Sequence, residues 1–267
     1  MRASRLPLAL AVLCCVLAQA CRRDDGEVVR QRPERFNAIT EAKIGESLAA
    51  ADWRRANVAV LLPGTPGYDV KAYDYLRPLV RELTQQAGVT RRDSFAWDVR
   101  LVLDNSEHAY TLPGGQIVLH TGLLHRFANE AECVGVLARE IALAEQGAAM
   151  AAYDRAVEDN VLLGDLLLGN DTAYDLLVGL AATVDYTPEE LRAADSLAAE
   201  LVCPSNYLHE GLPQAVGRLS AGTAYRRARP TDAGWATGFA ARVEPCVGTD
   251  STYAQRYREM LRRSVPE

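Results

Sequence analysis

One apolar stretch, from Asn129 to Met150, constrains the fold of this chain more than any other feature. Apolar residues recur in it every three or four positions and also fill the flanks, which predicts a long helix buried on all sides. Asn129 is suited to cap its first turn, and Glu132 stands where a capping-box carboxylate reaches back. Two charged neighbours, Arg139 and Glu140, interrupt the apolar run. Because a buried unpaired charge is costly, this dipeptide needs either partners or a function.

Composition sets the broad class of protein. The chain has 267 residues, of which 49% are hydrophobic, so it can bury a full core within one main domain. Its net charge of -6 argues against nucleic acid as a partner. Helical patterns run over 39–56, 69–86, 187–202, 212–219 and 251–263, and short strands are predicted at 95–103 and 116–120. These patterns predict a mostly helical α+β protein with a small sheet, and no structure is predicted for 223–248.

The first twenty residues have the layout of an export signal. Two arginines precede an apolar core from Leu6 to Leu17, and Ala18-Gln19-Ala20 supplies a small-residue cleavage site. Cys21 follows at once, as in the lipidation box of bacterial lipoproteins, and a polar tether extends over 21–38. We therefore expect residues 1–20 to be a signal peptide and Cys21 to carry a lipid that attaches the protein to a membrane. The expected location is the periplasm or the outer membrane; a plain secreted protein cut before Cys21 is the alternative.

Cysteine usage agrees with export. Once the signal residues and Cys21 are set aside, Cys133, Cys203 and Cys246 remain. Cys133 lies in the buried helix and is expected to behave as a small hydrophobic residue. Cys203 and Cys246 both adjoin prolines in loop-like sequence, and we predict a disulfide between them.

Several segments together resemble one known family. They are His108-Ala109-Tyr110, Pro113-Gly114-Gly115-Gln116-Ile117, Thr121-Gly122-Leu123-Leu124, Asn129-Glu130-Ala131-Glu132 and Val136-Leu137-Ala138-Arg139-Glu140-Ile141-Ala142. The series is similar to zinc metallopeptidase family forty-eight, the relatives of HtpX and of the CAAX prenyl protease. The resemblance extends over 39–207 and includes an opening from Glu41 to Gly45. It implies a zincin-like scaffold over 39–222, in which a small sheet packs against the central helix, followed by a helical extension over 223–267.

The metal ligands that the resemblance implies are missing from this chain. The family binds zinc through two histidines four residues apart on the central helix and a glutamate from a later helix. The matching positions here are Arg139, Leu143 and Leu191, and none of these side chains offers a lone pair to a metal. Glu140, at the family's general-base position, is retained. These departures from the family pattern therefore predict a pseudopeptidase with an idle base and no cofactor, and zinc is expected only if other residues serve as its ligands.

The charge at Arg139 needs compensation. Asp195 matches an aspartate of the family's later helix, and Glu190 is one residue from the third ligand position. We predict that Arg139 replaces the metal cation and pairs with Asp195, Glu190 or Glu200. The alternative is that its side chain extends to solvent.

A peptide groove is also implied by the resemblance. In the family, the strand that matches Gln116–His120 lies at a sheet edge and pairs with an extended peptide. The residues expected to form this groove are His108, Ala109, Gly114, Gly115, Gln116, Ile117 and Val118.

Three hypotheses about function follow. The first is a non-catalytic envelope protein that still binds a polypeptide client in this groove. The second is an active zinc endopeptidase with unconventional ligands such as His120 or Glu190. The third is an assembly lipoprotein whose groove is closed and whose partners lie in the cell envelope.

Overall fold

A helix from Glu130 to Glu145 lies at the centre of the fold and is buried along its whole length. The computed structural model of the chain describes residues 38–50, 60–61, 71–156, 179–180, 184–219, 221–229, 231, 233–246 and 251–265. Its helices are α1 Ala38–Ala50, α2 Lys71–Thr84, α3 Thr121–Arg126, α4 Glu130–Glu145, α5 Ala148–Ala156, α6 Pro188–Val202, α7 Gly211–Arg218, α8 Ala224–Ala228, α9 Trp235–Val243 and α10 Ala254–Ser264. Its strands are β1 Val60–Leu61, β2 Asp98–Val102, β3 Ala109–Leu112 and β4 Gln116–His120. The protein is mostly helical with a small mixed sheet, as the sequence predicts.

Helix α4 begins at a side-chain cap. The side chain of Asn129 accepts a hydrogen bond from the backbone N–H of Glu132 at 3.0 Å, as expected. The Glu132 carboxylate does reach back, but it accepts from the N–H of Ala128 at 2.9 Å. It also pairs with Arg218 at 2.8 Å, so this buried acid ties the start of α4 to α7. The residues of the cap therefore stabilise the start of α4 and also hold α7 against it.

The predicted long helix over 129–150 is wrong at its end, because the chain breaks between α4 and α5. Gly147 adopts a positive φ of 72°, a conformation that glycine reaches without steric cost. Its N–H donates to the carbonyl of Ala144 at 3.0 Å, which satisfies one of the open carbonyls of the last turn. The apolar pattern continues across this glycine, so periodicity alone gives no sign of the break.

The sheet has the strand order β1-β2-β4-β3. Strands β2 and β4 are parallel, whereas β3 and β4 form an antiparallel hairpin. The prediction that Gln116–His120 is an edge strand is therefore wrong, since β4 pairs on both sides. Both glycines of the hairpin turn, Gly114 and Gly115, have positive φ, which allows the tight turn that brings β3 back alongside β4. Strand β3 lies at the edge instead, and all four of its residues are buried.

Helices cover the central helix on its other sides. The most extensive helix packing of α4 is with α6 and α7. Helix α7 approaches so closely that a Cβ on Gly211 would lie 2.0 Å from the carbonyl oxygen of Ala131. Strand β3 also packs against α4 and thereby brings the sheet to the centre of the helix.

The C-terminal region contains two helices, α8 and α9, where the sequence predicts no structure. Helix α9 packs against α6, and α10 packs against α2. Cys203 and Cys246, the pair indicated by the sequence, form a disulfide that joins the end of α6 to the segment after α9. The division into domains at residue 222 stays a prediction.

The expected signal peptide, the tether and the acylation site Cys21 lie outside the described residues. Within the described part of the chain, no helix has the length and apolar character needed to cross a membrane.

Candidate functional site: a buried pair of salt bridges

Arg139 and Glu140 lie in the middle of α4, and the structure buries both completely. Adjacent residues of a helix point in directions about 100° apart, so the two side chains face different neighbours. Arg139 contacts α6 and α9, whereas Glu140 contacts β3 and the segment after α8. Each charge has its own partner.

Arg139 pairs with Asp195 of α6, one of the three carboxylates predicted for it. The guanidinium Nε lies 2.7 Å from Oδ1 of Asp195, and Nη2 donates to Oδ2 at 3.3 Å. The indole N–H of Trp235 donates to the same Oδ2 at 2.6 Å. The guanidinium carbon lies 5.3 Å from the centroid of the Trp235 ring. Arg139 therefore ends inside the protein rather than in solvent.

Glu140 pairs with Arg229, which immediately follows α8. Nη2 of Arg229 donates to Oε2 of Glu140 at 2.8 Å, and the hydroxyl of Thr111 lies 3.0 Å from the same oxygen. The side chain of Arg229 is 1% exposed, and its guanidinium carbon lies 5.1 Å and 4.6 Å from the ring centroids of Tyr186 and Tyr225. Glu140, at the expected general-base position, is thus paired with an arginine from the C-terminal region.

We call Arg139, Asp195, Glu140 and Arg229 the two-pair cluster; its two cations balance its two anions. Burial alone would lower the pKa of Arg229, but Glu140 and the neighbouring phenols outweigh burial, so its pKa is raised above the usual value. Burial also raises the pKa of the adjacent Tyr186, which keeps that phenol neutral. The cluster is an electroneutral ionic core.

The residues at the expected metal positions do not fit zinc. Leu143 and Leu191 are buried hydrocarbon side chains on α4 and α6, and the guanidinium of Arg139 is a cation. Zinc requires nitrogen, sulfur or oxygen donors, usually four. Asp195, the one carboxylate here with the right chemistry, already binds Arg139 and Trp235. Among the described residues, no three His, Cys, Asp or Glu side chains are grouped so as to hold a metal ion.

The two residues suggested as unconventional ligands make other contacts. Glu190 forms the capping box of α6 with Thr187 and binds Arg155 through both of its oxygens, each at 2.7 Å. His120 has its Nδ1 atom 2.7 Å from the hydroxyl of Ser106. Burial lowers the pKa of His120, although Asp104 opposes this effect. The polar contacts of both residues do not include Glu140.

The residues expected to form the peptide groove lie in the interior. They are His108, Ala109, Gly114, Gly115, Gln116, Ile117 and Val118, and all are buried. Gly114 lies directly against Gly45 of α1, since a Cβ on Gly114 would be 2.2 Å from the Gly45 Cα atom. Gly115 is covered by the ring of Trp97. These residues build the sheet and its hairpin rather than an open edge beside Glu140.

Three residues of the site were missed by the sequence analysis: Thr111, Arg229 and Trp235. Burial of Glu140 implies a cation nearby, but the chain has 29 lysines and arginines, and nothing in the pattern of 223–248 singles out Arg229. Arg229 lies 89 positions from Glu140 in the sequence. Only the packing of the C-terminal helices brings the two together.

Comparison with known proteins gives the class of this scaffold. Residues 71–157 match the family model described as Peptidase family M48, and this match runs from α2 to just past α5. Over these residues the chain is similar to peptidase family M48, and its α+β fold is consistent with that of a metallopeptidase-like scaffold. No curated protein matches the chain. The match includes Arg139, Glu140 and Leu143, whereas Leu191, Asp195, Arg229 and Trp235 lie beyond it.

Proposed function

We propose that this protein is a catalytically inactive member of family M48 that acts as a structural or assembly factor in the cell envelope. The observation that carries the proposal is the complete burial of Glu140 between Arg229 and Thr111.

Metal chemistry lacks its ligands. Peptidases of the zincin type use zinc to polarise the scissile carbonyl and to lower the pKa of a bound water. Arg139, Leu143 and Leu191 supply no donor atom for that ion, and Asp195 is neutralised by Arg139. Among the described residues, we therefore infer that no group is placed to generate the hydroxide nucleophile.

The base itself is not free to act. A general base must reach the proton of its water within hydrogen-bond distance. Oε2 of Glu140 is already bound by Arg229 and Thr111, and the side chain has no exposed surface. Glu140 serves here as the counter-ion of Arg229.

The arrangement of the strands favours the closed-groove hypothesis over a client-binding groove. β-Addition requires an unpaired strand edge that is open to a peptide. β4 has partners on both sides and β3 is buried. The surface that meets an envelope partner therefore lies elsewhere on the molecule, and the lipid expected on Cys21 would hold that surface close to the membrane.

Restoring the ligands tests this proposal. The triple variant R139H/L143H/L191E places the three family ligands at their positions, and we expect it to bind zinc while the unaltered chain does not. Cleavage of a peptide substrate should require the further change Arg229→Met, because Arg229 otherwise holds Glu140. The control is the quadruple variant R139H/L143H/L191E/R229M with E140Q added, which should bind zinc without cleaving. Peptide hydrolysis by the unaltered chain would overturn the proposal.

A further inference from the structure

A cleft of about 470 Å³ lies away from the two-pair cluster, between α2 and the segment that leads into β2. Arg77 and Arg81 line it from one face of α2, since they are four residues apart. Arg92 and Trp97 line it from the preceding loop, and Asp98 lies at the start of β2. The cleft is therefore built on a helix, a loop and a strand of the described core.

The charges of the cleft do not balance. Asp98 is occupied by two arginines: Arg77 binds it at 2.8 Å and 3.1 Å, and Arg100 binds it as well. Within the described ranges, neither Arg81 nor Arg92 takes part in an ion pair. Among the described residues, the cleft thus carries two uncompensated positive charges, although the net charge of the whole chain is -6.

The positive charges are held close together at a cost. Like charges four residues apart on a helix repel, as Arg77 and Arg81 do. The buried Nε of Arg92 has no hydrogen-bond partner in the described part of the chain, and Nη2 of Arg92 binds the carbonyl of Gln86 at 3.1 Å. A buried donor left unsatisfied is unfavourable. An anion in the cleft would relieve both costs.

Trp97 gives the cleft a rigid aromatic wall. Its indole N–H donates to the carbonyl of Arg91 at 3.3 Å, and its ring packs directly on Gly115, where a Cβ would lie 2.8 Å away. Phe95 supports the ring at a centroid distance of 5.4 Å. The wall suits an apolar part of a ligand whose charged end faces the arginines.

We propose that this cleft binds a phosphate monoester group. Guanidinium groups match the oxygens of a phosphate with paired hydrogen bonds. A phosphate monoester carries a charge of about -1.5 to -2 at neutral pH, which balances Arg81 and Arg92 better than a single carboxylate does. The volume exceeds that of phosphate itself, so the cleft accommodates an organic substituent beside Trp97. The monoester belongs either to a soluble metabolite or to a membrane lipid headgroup.

Calorimetric titration of the full chain tests this site. The soluble probes are inorganic phosphate and glycerol 3-phosphate; the lipid probe is phosphatidylcholine vesicles with and without phosphatidic acid. We expect saturable binding of at least one probe, weakened about tenfold or more in R81Q/R92Q. The matched control is R192Q, which removes an exposed arginine of α6 and should bind as the unaltered chain does.

The outcomes separate the two sources of the phosphate. Binding of glycerol 3-phosphate assigns the site to a soluble ester, and binding only of vesicles that contain phosphatidic acid assigns it to a lipid. Equal affinity in the double variant and the unaltered chain, or no saturable binding of any probe, would overturn the site. If the double variant is unfolded by circular dichroism, R81Q alone serves in its place, since Arg81 is exposed.

Discussion

At the scale of single residues, the two-pair cluster places the neighbours Arg139 and Glu140 in two separate buried ion pairs. Arg139 brings a positive charge to α4 beside Asp195, and Arg229 brings a second one beside Glu140. Every charge is buried, so each ion depends on its partner to offset the loss of hydration. Folding stability therefore depends on all four members of the cluster, because removal of any one of them leaves a buried ion without its partner.

Replacement of Arg229 tests how much its pair with Glu140 contributes to the free energy of unfolding. We expect Arg229→Met to lower the free energy of unfolding by about 3–5 kcal/mol, since Glu140 would remain buried with Thr111 alone. Urea denaturation followed by circular dichroism gives the value. The control is Arg192→Met, in an exposed pair with Glu189, where a change of about 1 kcal/mol or less is expected. A loss as small as that of the control would show that the pair with Glu140 does not stabilise the fold.

One contact of the two-pair cluster could be predicted from the sequence, and the other could not. Three candidate carboxylates for Arg139 follow from the resemblance to the family, and Asp195 is among them. Arg229 does not follow, because a contact over 89 positions depends on the packing of α8, and no local pattern encodes that packing.

At the scale of elements, close backbone approach sets the position of the helices around α4. Gly211 opens α7 against the backbone of α4, whereas Gly217 of the same helix has nothing within 4 Å of the position a Cβ would take. The two glycines therefore have opposite roles within one helix. Gly211 is needed for contact, and Gly217 is tolerated.

Alanine substitutions at these glycines should have opposite effects. Gly211→Ala is expected to destabilise the protein by about 1–3 kcal/mol or more, because the added methyl group overlaps the carbonyl of Ala131. Gly217→Ala should leave stability unchanged or raise it by up to about 1 kcal/mol through helix propensity. Guanidinium unfolding of the two variants checks this contrast. Equal destabilisation by both would mean that α7 does not pack as closely as described.

The disulfide acts at the same scale, since it fixes α9 and the segment after it to the end of α6. Cys203 and Cys246 are separated by 43 positions. The double variant C203S/C246S is expected to lose about 2–4 kcal/mol of unfolding free energy. Unfolding with and without a thiol reductant provides the measurement: reductant should weaken the unaltered chain and have no effect on the double variant. A double variant as stable as the oxidised chain would contradict the prediction.

Elements with a strong local signal could be predicted, and those that depend on pairing could not. The cap at Asn129 and the capping box at Thr187 are short-range features. The edge position of β3 depends on the Gly114-Gly115 turn, which brings β3 back alongside β4. The sequence indicates a turn at these glycines but does not show which strands pair after it. The wrong assignment of β4 to the edge has this origin.

At the scale of the whole molecule, the family match and the buried ion pairs occupy different extents of the chain. The family match over 71–157 covers the sheet from β2 to β4 and the central helix, which explains why the motif series predicts the α+β scaffold. The partners of Arg139 and Glu140 lie largely outside that match: Asp195 in α6, Arg229 just after α8 and Trp235 in α9. The family match therefore accounts for the scaffold, and the contacts of Arg139 and Glu140 depend on segments beyond that match.

The zinc content of the purified protein distinguishes an inactive scaffold from an active zinc endopeptidase. The full chain is purified without chelator, dialysed against micromolar zinc and measured by inductively coupled plasma mass spectrometry, beside the variants His120→Ala and Glu190→Gln. We expect far less than one zinc per chain and no difference among the three proteins, because Arg139, Leu143 and Leu191 offer no donor atoms. One zinc per chain that is lost in either variant would contradict this expectation and would restore the active endopeptidase hypothesis.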